Sequence, residues 1–290
     1  MDTKKSIVLL SVLDKLNITE AAKCLGYTPS GVSRIIESIE KELGFSLLIR
    51  THSGVYPTAE CTKLLPLFSE LASLDKALTD SAQEITGMKQ GKFRIGNAYT
   101  AHMPELFDAL QSFKKDFPQI DIQLYEGLSS ELVNKLTVNK LDLCICSKCP
   151  GDYDWIPLFS DPMCVMVSQS HPLAKESHYP LKRLETDSFI DFRPDTETDA
   201  SRLLQKYHIK PNRHFAAAND HSAYLMVKAG MGVALTNTLH TRTWSDGISV
   251  LMTMPETRVP IGIAVINRQY LSPSVKIFLE RFTAVLKGSL

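Results

Sequence analysis

Asn17–Gly44, NITEAAKCLGYTPSGVSRIIESIEKELG, is the stretch from which the fold of the first part of the chain is read. Ala21, Ala22 and Leu25 form one apolar stripe, and Val32, Ile35 or Ile36, Ile39 and Leu43 form a second at helical spacing. Between them, Gly26 can end a helix with a positive φ, and Thr28 followed by Pro29 is a side-chain cap before a first-turn proline. Two helices joined this closely must cross steeply, which is the helix-turn-helix geometry, with the second helix turned outward toward a DNA major groove. Off its apolar stripe lie Ser30, Gly31, Ser33 and Arg34, small or hydrogen-bonding residues suited to base edges and phosphates. A helical hairpin inside a larger core is the alternative reading.

The flanks extend the first reading. Ser6–Leu16 carries Ile7, Leu10, Val12 and Leu13 on a broad apolar face, as a third helix of the same small domain needs. Phe45–Tyr56 alternates weakly, turns at His52-Ser53-Gly54 and stops at Pro57, which predicts a two-stranded wing. Arg50 and His52 at that wing, with Thr28, Ser30, Ser33 and Arg34, are the candidate DNA contacts, and Lys4 and Lys5 add local positive charge. Thr58 then caps a long helix, Ala59–Thr86, whose stripe of Leu64, Leu65, Leu67, Phe68, Leu71, Leu74, Leu78 and Ile85 is too leucine-rich to serve one small domain and calls for a partner. Gly87–Gly91 reads as a hinge.

From Phe93 the period changes to strands alternating with helices, which implies parallel pairing and a doubly wound sheet. In such sheets ligands sit beyond the carboxyl ends of the strands, against helix N-termini. The loops Asn97–His102, Leu128–Ser130 and Ser147–Cys149 are therefore singled out. Thr100 is expected to begin a helix and offer its hydroxyl beside free backbone N–H groups, with Ser129 and Ser147 in equivalent places after the next two strands. Arg193, across the cleft, suits a carboxylate, although a solvated arginine fits the same sequence, and Tyr99 and Phe192 can form aromatic walls. Within a second α/β unit, strands are expected near Cys164–Val167 and Ile261–Ile266.

Composition narrows the classes. The 290 residues suit two or three domains, and no apolar run or leader-like N-terminus points to a membrane or to export, so a cytoplasmic protein is expected. Lys plus Arg and Asp plus Glu both number 32, so DNA binding must rest on local placement of charge rather than on bulk. Six cysteines spread over separate elements fit reduced thiols. No phosphate-binding glycine loop, nucleophile elbow, zinc-helix signature or calcium loop occurs, so no enzyme, cofactor or metal site is expected. The one pattern open to redox or metal chemistry is Cys146-x-x-Cys149, preceded by Cys144 and flanked by Lys148.

Ala21–Arg50, followed by the turn THSG and then PTAE, resembles the N-terminal domain of LysR-type transcriptional regulators: the paired alanines, Val32-Ser33-Arg34, and the E-x-E-L-G-x-x-L-x-x-R exit from Glu40 to Arg50 match together. HPLA from His171 and VKAGMGVAL from Val227 match landmarks further on. Pro29 departs from the family's frequent glutamine, Cys61 from its glycine, and Thr236-Asn237 from its proline. The resemblance implies an all-α winged helix-turn-helix N-terminal domain plus an α/β two-subdomain effector domain resembling periplasmic binding proteins. It divides the chain into residues 1–58 for DNA binding, 59–91 for a dimerising linker helix and hinge, 92–162 with 267–290 for one effector subdomain, and 163–266 for the other. It further implies a transcriptional regulator whose partners are double-stranded DNA, a small-molecule effector, namely an anionic metabolite, RNA polymerase, and copies of itself as a homodimer or homotetramer. A redox- or metal-responsive regulator using Cys146 and Cys149 is the alternative.

Overall fold

The computed structural model describes residues 2–51, 53–85, 91–242 and 244–289. Its first three helices are α1 (Thr3–Lys15), α2 (Ile18–Leu25) and α3 (Pro29–Leu43), each opened by a side-chain cap from Asp2, Asn17 or Thr28. Gly26 and Gly44, at φ of 71° and 82°, end α2 and α3 in the left-handed region, where a side chain costs about 1 kcal/mol or more. Val8, Leu9, Val12, Ala21, Ala22, Val32, Ile36 and Ile39 fill the core that the three helices share. The wing is β1 (Leu48–Thr51) paired antiparallel with β2 (Gly54–Pro57), so Pro57 is the last residue of the second strand. Glu40 fastens the wing to α3: its carboxylate accepts the backbone N–H groups of Leu47 and Leu48 at 2.7 and 3.2 Å.

Thr58 caps α4 (Ala59–Ile85), with its hydroxyl accepting Cys61 N–H at 3.0 Å and donating to the Ser46 carbonyl. Pro66 lies inside this helix and deprives the Thr62 carbonyl of an intrahelical donor. Phe68 and Ala72 turn toward the three-helix core, whereas Leu67, Leu71, Leu74 and Leu78 form a ridge toward solvent, 57, 39, 42 and 70% exposed. The expected hinge at Gly87–Gly91 falls, Gly91 apart, outside the described residues. No helix among the described residues is long and apolar enough to cross a membrane.

Two α/β lobes follow. The first contains β3 (Gly91–Asn97), α5 (Met103–Asp116), β4 (Ile120–Glu126), α6 (Ser129–Thr137) and β5 (Leu143–Ser147), with β3 paired in parallel to both β4 and β5. Then β6 (Asp154–Ser168) runs fifteen residues, much longer than the four expected. The second lobe adds β7 (His178–Pro180), β8 (Phe189–Phe192), α7 (Asp199–Lys206), β9 (Arg213–Ala217), α8 (Asp220–Lys228), β10 (Ala234–Asn237), α9 (Thr238–Thr241) and β11 (Ile248–Met254). β12 (Arg258–Val265) returns to the first lobe, and α10 (Pro273–Ser289) packs its Phe278 and Phe282 beside Phe93 and Phe113.

The lobes are one piece at β6. Asp154–Pro162 pairs with β12, which pairs onward with β5, while Met163–Ser168 pairs with β10 and β11. The first half, which sequence reading missed, holds Pro157 and Pro162 among half-exposed residues and so lacks the apolar run of a buried strand.

The pairing of β6 with β12 shifts register between Ile261 and Gly262. A Cβ at Gly262 meets the Ile156 carbonyl oxygen at 2.4 Å and the Trp155 ring at 2.6 Å. Because one of these obstacles is backbone, Gly262→Ala is expected to cost about 1–3 kcal/mol, read as a lower denaturation midpoint in guanidinium. An unchanged midpoint contradicts the close approach.

Candidate functional site

Two sites take shape, on α3 and between the lobes. On α3, the Thr28 hydroxyl accepts Gly31 N–H at 3.1 Å and lies 3.2 Å from the Ser30 hydroxyl, so it is engaged in starting the helix. Ser30 and Arg34 are exposed, Ser33 is half-buried, and Arg50 is exposed on β1 opposite Val55. His52 lies outside the described residues. Lys5 is not available as free positive charge, because its ammonium is held by the Ser38 hydroxyl at 2.9 Å and by the Glu42 carboxylate. Two of the three acids of α3 are thereby occupied, Glu40 by the wing and Glu42 by Lys5; Arg34 is the charged group of the first two turns, with Glu37 exposed one turn further on.

The second site lies where β3, β5, α6, α7 and α9 converge. Asn97 at the end of β3 donates to the Tyr99 carbonyl at 2.9 Å and turns the chain, so that Tyr99 points inward, 1% exposed, and Thr100 outward. Thr100 opens a short 3₁₀ turn rather than an α-helix and does not line the cleft; the position expected of it is taken by Tyr99. The Tyr99 hydroxyl crosses between the lobes to Asp199 at 2.9 Å. Asp199 also accepts from the Asn237 amide at 3.2 Å and pairs with Arg202. Arg202 in turn donates to the Ser147 hydroxyl at 2.9 Å and to Glu197 at 2.8 Å, with the Cys149 sulfur 3.4 Å away. The Ser129 hydroxyl accepts Ser147 N–H at 3.0 Å.

Tyr99, Ser129 and Phe192 therefore line one cleft, and Ser147 joins them through Arg202. Arg193, at φ 48°, faces away from the interior and pairs with Glu131 of the other lobe at 3.0 Å, with its Nε donating to the Ala218 carbonyl. Arg193 is not among the residues that line the cleft, where Arg202 supplies the guanidinium instead. Sequence reading missed Glu197, Asp199, Arg202, Asp220, Asn237 and His240, all lining the cleft. One signal was present: Thr198 and Ser201 form a reciprocal cap, which sets Asp199 and Arg202 three apart on one face of α7.

As it stands the cleft holds about 40 Å³ of free space, enough for a few waters and far below the few hundred Å³ of a ligand pocket. The lobes are closed on one another by side chains. Burial opposes the charge on His240, but the hydrogen bond and charge of Asp220, 3.2 Å away, prevail and raise its pKa. Burial drives the Tyr99 hydroxyl well above its ordinary range, so it remains a donor.

The cysteines are packed rather than poised. Cys144 and Cys146 point inward from β5 with sulfurs 3.7 Å apart, and their mutual hydrogen bond together with burial raises the Cys146 thiol far above its usual pKa. Burial pushes Cys149 up to about 11 despite the nearby Arg202 charge. Neither supplies a thiolate at neutral pH, and among the described residues no group of three or more His, Cys, Asp or Glu side chains could hold a metal ion.

Known proteins share both halves. Residues 6–62 match the family model for the bacterial regulatory helix-turn-helix protein, lysR family, and residues 86–287 match the LysR substrate binding domain. The chain is 28% identical over 271 residues to the HTH-type transcriptional regulator YybE of Bacillus subtilis, covering 91% of this chain and 92% of YybE. Full-length OxyR from Pseudomonas aeruginosa superposes with a TM-score of 0.68 at 18% identity, covering 99% of this chain and 95% of OxyR. The regulatory domain of CcmR from Synechocystis, solved in complex with 2-PG, gives a TM-score of 0.60 at 20% identity over 68% of this chain and 98% of that one.

Two outcomes are expected. A small thiol reagent on the folded chain at neutral pH should label exposed Cys24 quickly and the five buried cysteines only on unfolding; rapid labelling of Cys149 contradicts the packing. Because the folded pKa of His240 is raised above 6.5, its contribution is full below about pH 6.5 and is lost as pH rises through the folded value. The melting temperature of wild type should therefore fall relative to His240→Gln between pH 6 and pH 8, and parallel curves refute the pairing.

Proposed function

Since the chain belongs to the LysR family of bacterial transcriptional regulators, we propose that it binds operator DNA through Ser30, Ser33, Arg34 and Arg50 as a homodimer or dimer of dimers, and that a small effector bearing an anionic group, entering the cleft between the lobes, alters that binding and the contact with RNA polymerase. The coarse function is a DNA-binding transcriptional regulator with an effector-binding domain. What carries the finer reading is α6, which runs from the cleft to the three-helix domain. Its first turn lines the cleft with Ser129 and pairs Glu131 with Arg193 of the opposite lobe. At its other end the Thr137 carbonyl accepts the Ser69 hydroxyl from α4, Val138 packs on the core of the three-helix domain, and Lys140 lies 3.4 Å from Asp14 of α1.

Because the closed cleft cannot admit a metabolite, binding requires the lobes to part, and the effector acts by favouring the parted state. A leucine ridge at i, i+4, i+7 and i+11 on α4 supports pairing with a second copy, since one chain leaves it in water. The complex of the CcmR regulatory domain with 2-PG supports a small-molecule effector here. Burial of Cys146 and Cys149, which raises the pKa of both thiols, weighs against the thiol-sensing alternative.

Arg34→Ala should fold as wild type and lose roughly 1–3 kcal/mol of binding to a DNA site selected in vitro, with a shallower salt dependence if a phosphate is its target. Wild-type affinity and slope would remove α3 from the interface. Leu71→Asp or Leu74→Asp should give monomers of low DNA affinity, and an unchanged mass by sedimentation contradicts pairing through α4.

A further inference from the structure

The cleft carries a more specific instruction about its ligand, one that rests on the effector-site reading above. Asp199 is the chain's own carboxylate, and three donors converge on it: the Tyr99 hydroxyl, the Asn237 amide and the Arg202 guanidinium. Tyr99 comes from the first lobe, Asn237 and Arg202 from the second, so the arrangement is a carboxylate socket built across the cleft and filled from within. Asn237 is 1% exposed, and its Oδ1 has no hydrogen-bond partner among the described residues. The amide cannot be turned to cure this, because turning it would set the oxygen against the Asp199 carboxylate. The described residues bring no donor to this buried acceptor, and leaving it unpaired costs about 1–3 kcal/mol, so in the closed cleft it falls to water, and in the bound state to a ligand donor, to satisfy it.

Charge decides which donor. The lining holds three acids, Glu197, Asp199 and Asp220, against two bases, Arg202 and His240, and each base is already paired with an acid. A simple anion adds to a surplus of negative charge, whereas a molecule with both a carboxylate and an ammonium adds no net charge. The amide oxygen and nitrogen of Asn237 lie side by side, so the two groups of the ligand must also be adjacent. Free space of about 40 Å³ in the closed cleft means that the lobes must part to admit the ligand, and a compact molecule requires the smallest opening.

We propose that the effector is a small α-amino acid, its carboxylate displacing Asp199 from Tyr99, Arg202 and the Asn237 amide nitrogen, and its ammonium donating to the Asn237 amide oxygen. Asp199 is then an internal competitor that keeps the lobes shut until the amino acid takes its place. Asn237 is one of the two residues standing where the family often has proline, so the specificity is written by a departure from the family pattern.

The test is a thermal-shift and calorimetric titration of the full chain with the twenty common amino acids. For any that bind, the carboxylic acid without the amine and the amine without the carboxylate are titrated alongside. The proposal expects at least one amino acid to stabilise wild type saturably, each truncated analogue to bind at least tenfold more weakly, and Asn237→Leu to lose at least tenfold in affinity for it. Should Asn237→Leu fail to fold, the analogue series on wild type decides alone. If no amino acid binds, or if the amine-free acid binds equally well, the proposal is overturned. The reading beneath it fails separately: an amino acid that binds while Asn237→Leu is unaffected places the effector outside this cleft.

Discussion

One strand belongs to two bodies. Because β6 gives its first half to β12 and its second to β10 and β11, the backbone hydrogen bonds of the two lobes form a continuous network, and their relative motion is confined to bending and twisting where the pairing changes hands near Pro162 and Met163. Everything at the cleft depends on that restriction. Tyr99 reaches Asp199, Ser130 reaches the Glu197 carbonyl at 2.8 Å, and Arg193 reaches Glu131, all from elements whose facing is set by the crossing strands. Their closure combines the packing of Tyr99 against the core of the second lobe with a few polar bonds, and the polar bonds are of the kind that a ligand can replace.

The same economy of charge operates in the DNA-binding domain. A chain with balanced charge is a poor nucleic-acid ligand on average, yet two of the three acids of α3 are engaged elsewhere: Glu40 receives two backbone N–H groups of the wing, and Glu42 pairs with Lys5, while Glu37 lies exposed one turn beyond Arg34. Placement, rather than total charge, decides the field at the exposed start of the helix, where Arg34 stands beyond short side chains.

The legible features were those whose causes are local. Thr28, Pro29 and Gly26 define helix ends through interactions within a few residues, and the leucine ridge of α4 is periodic along its own helix. The illegible ones depend on partners far along the chain. Thr100 reads as a helix-opening hydroxyl, but the turn imposed by Asn97 sends its neighbour Tyr99 inward, and no pattern around Thr100 reports that. Arg202 shows no role in the sequence, because its partner Ser147 lies 55 residues earlier and only the fold brings the two together. Arg193 fails in the opposite sense, because its side chain reaches Glu131 and does not border the cleft. The first half of β6 hides for another reason: its burial is partial and its prolines are tolerated only because of where neighbouring strands pair.

The position of α6, with one end in the cleft and the other against α1 and α4, has a thermodynamic consequence. A nine-residue helix is stiff over its length of about 14 Å, so the two ends cannot be displaced independently. If effector binding shifts the free energy of DNA binding by some amount through this element, DNA binding shifts the free energy of effector binding by the same amount and sign. Operator DNA is in that sense itself an allosteric ligand of the cleft. The effector concentration at which the regulator responds is then not a property of the protein alone: a chain seated on its promoter and one free in solution titrate at different concentrations, and the operator sequence becomes one of the determinants of sensitivity.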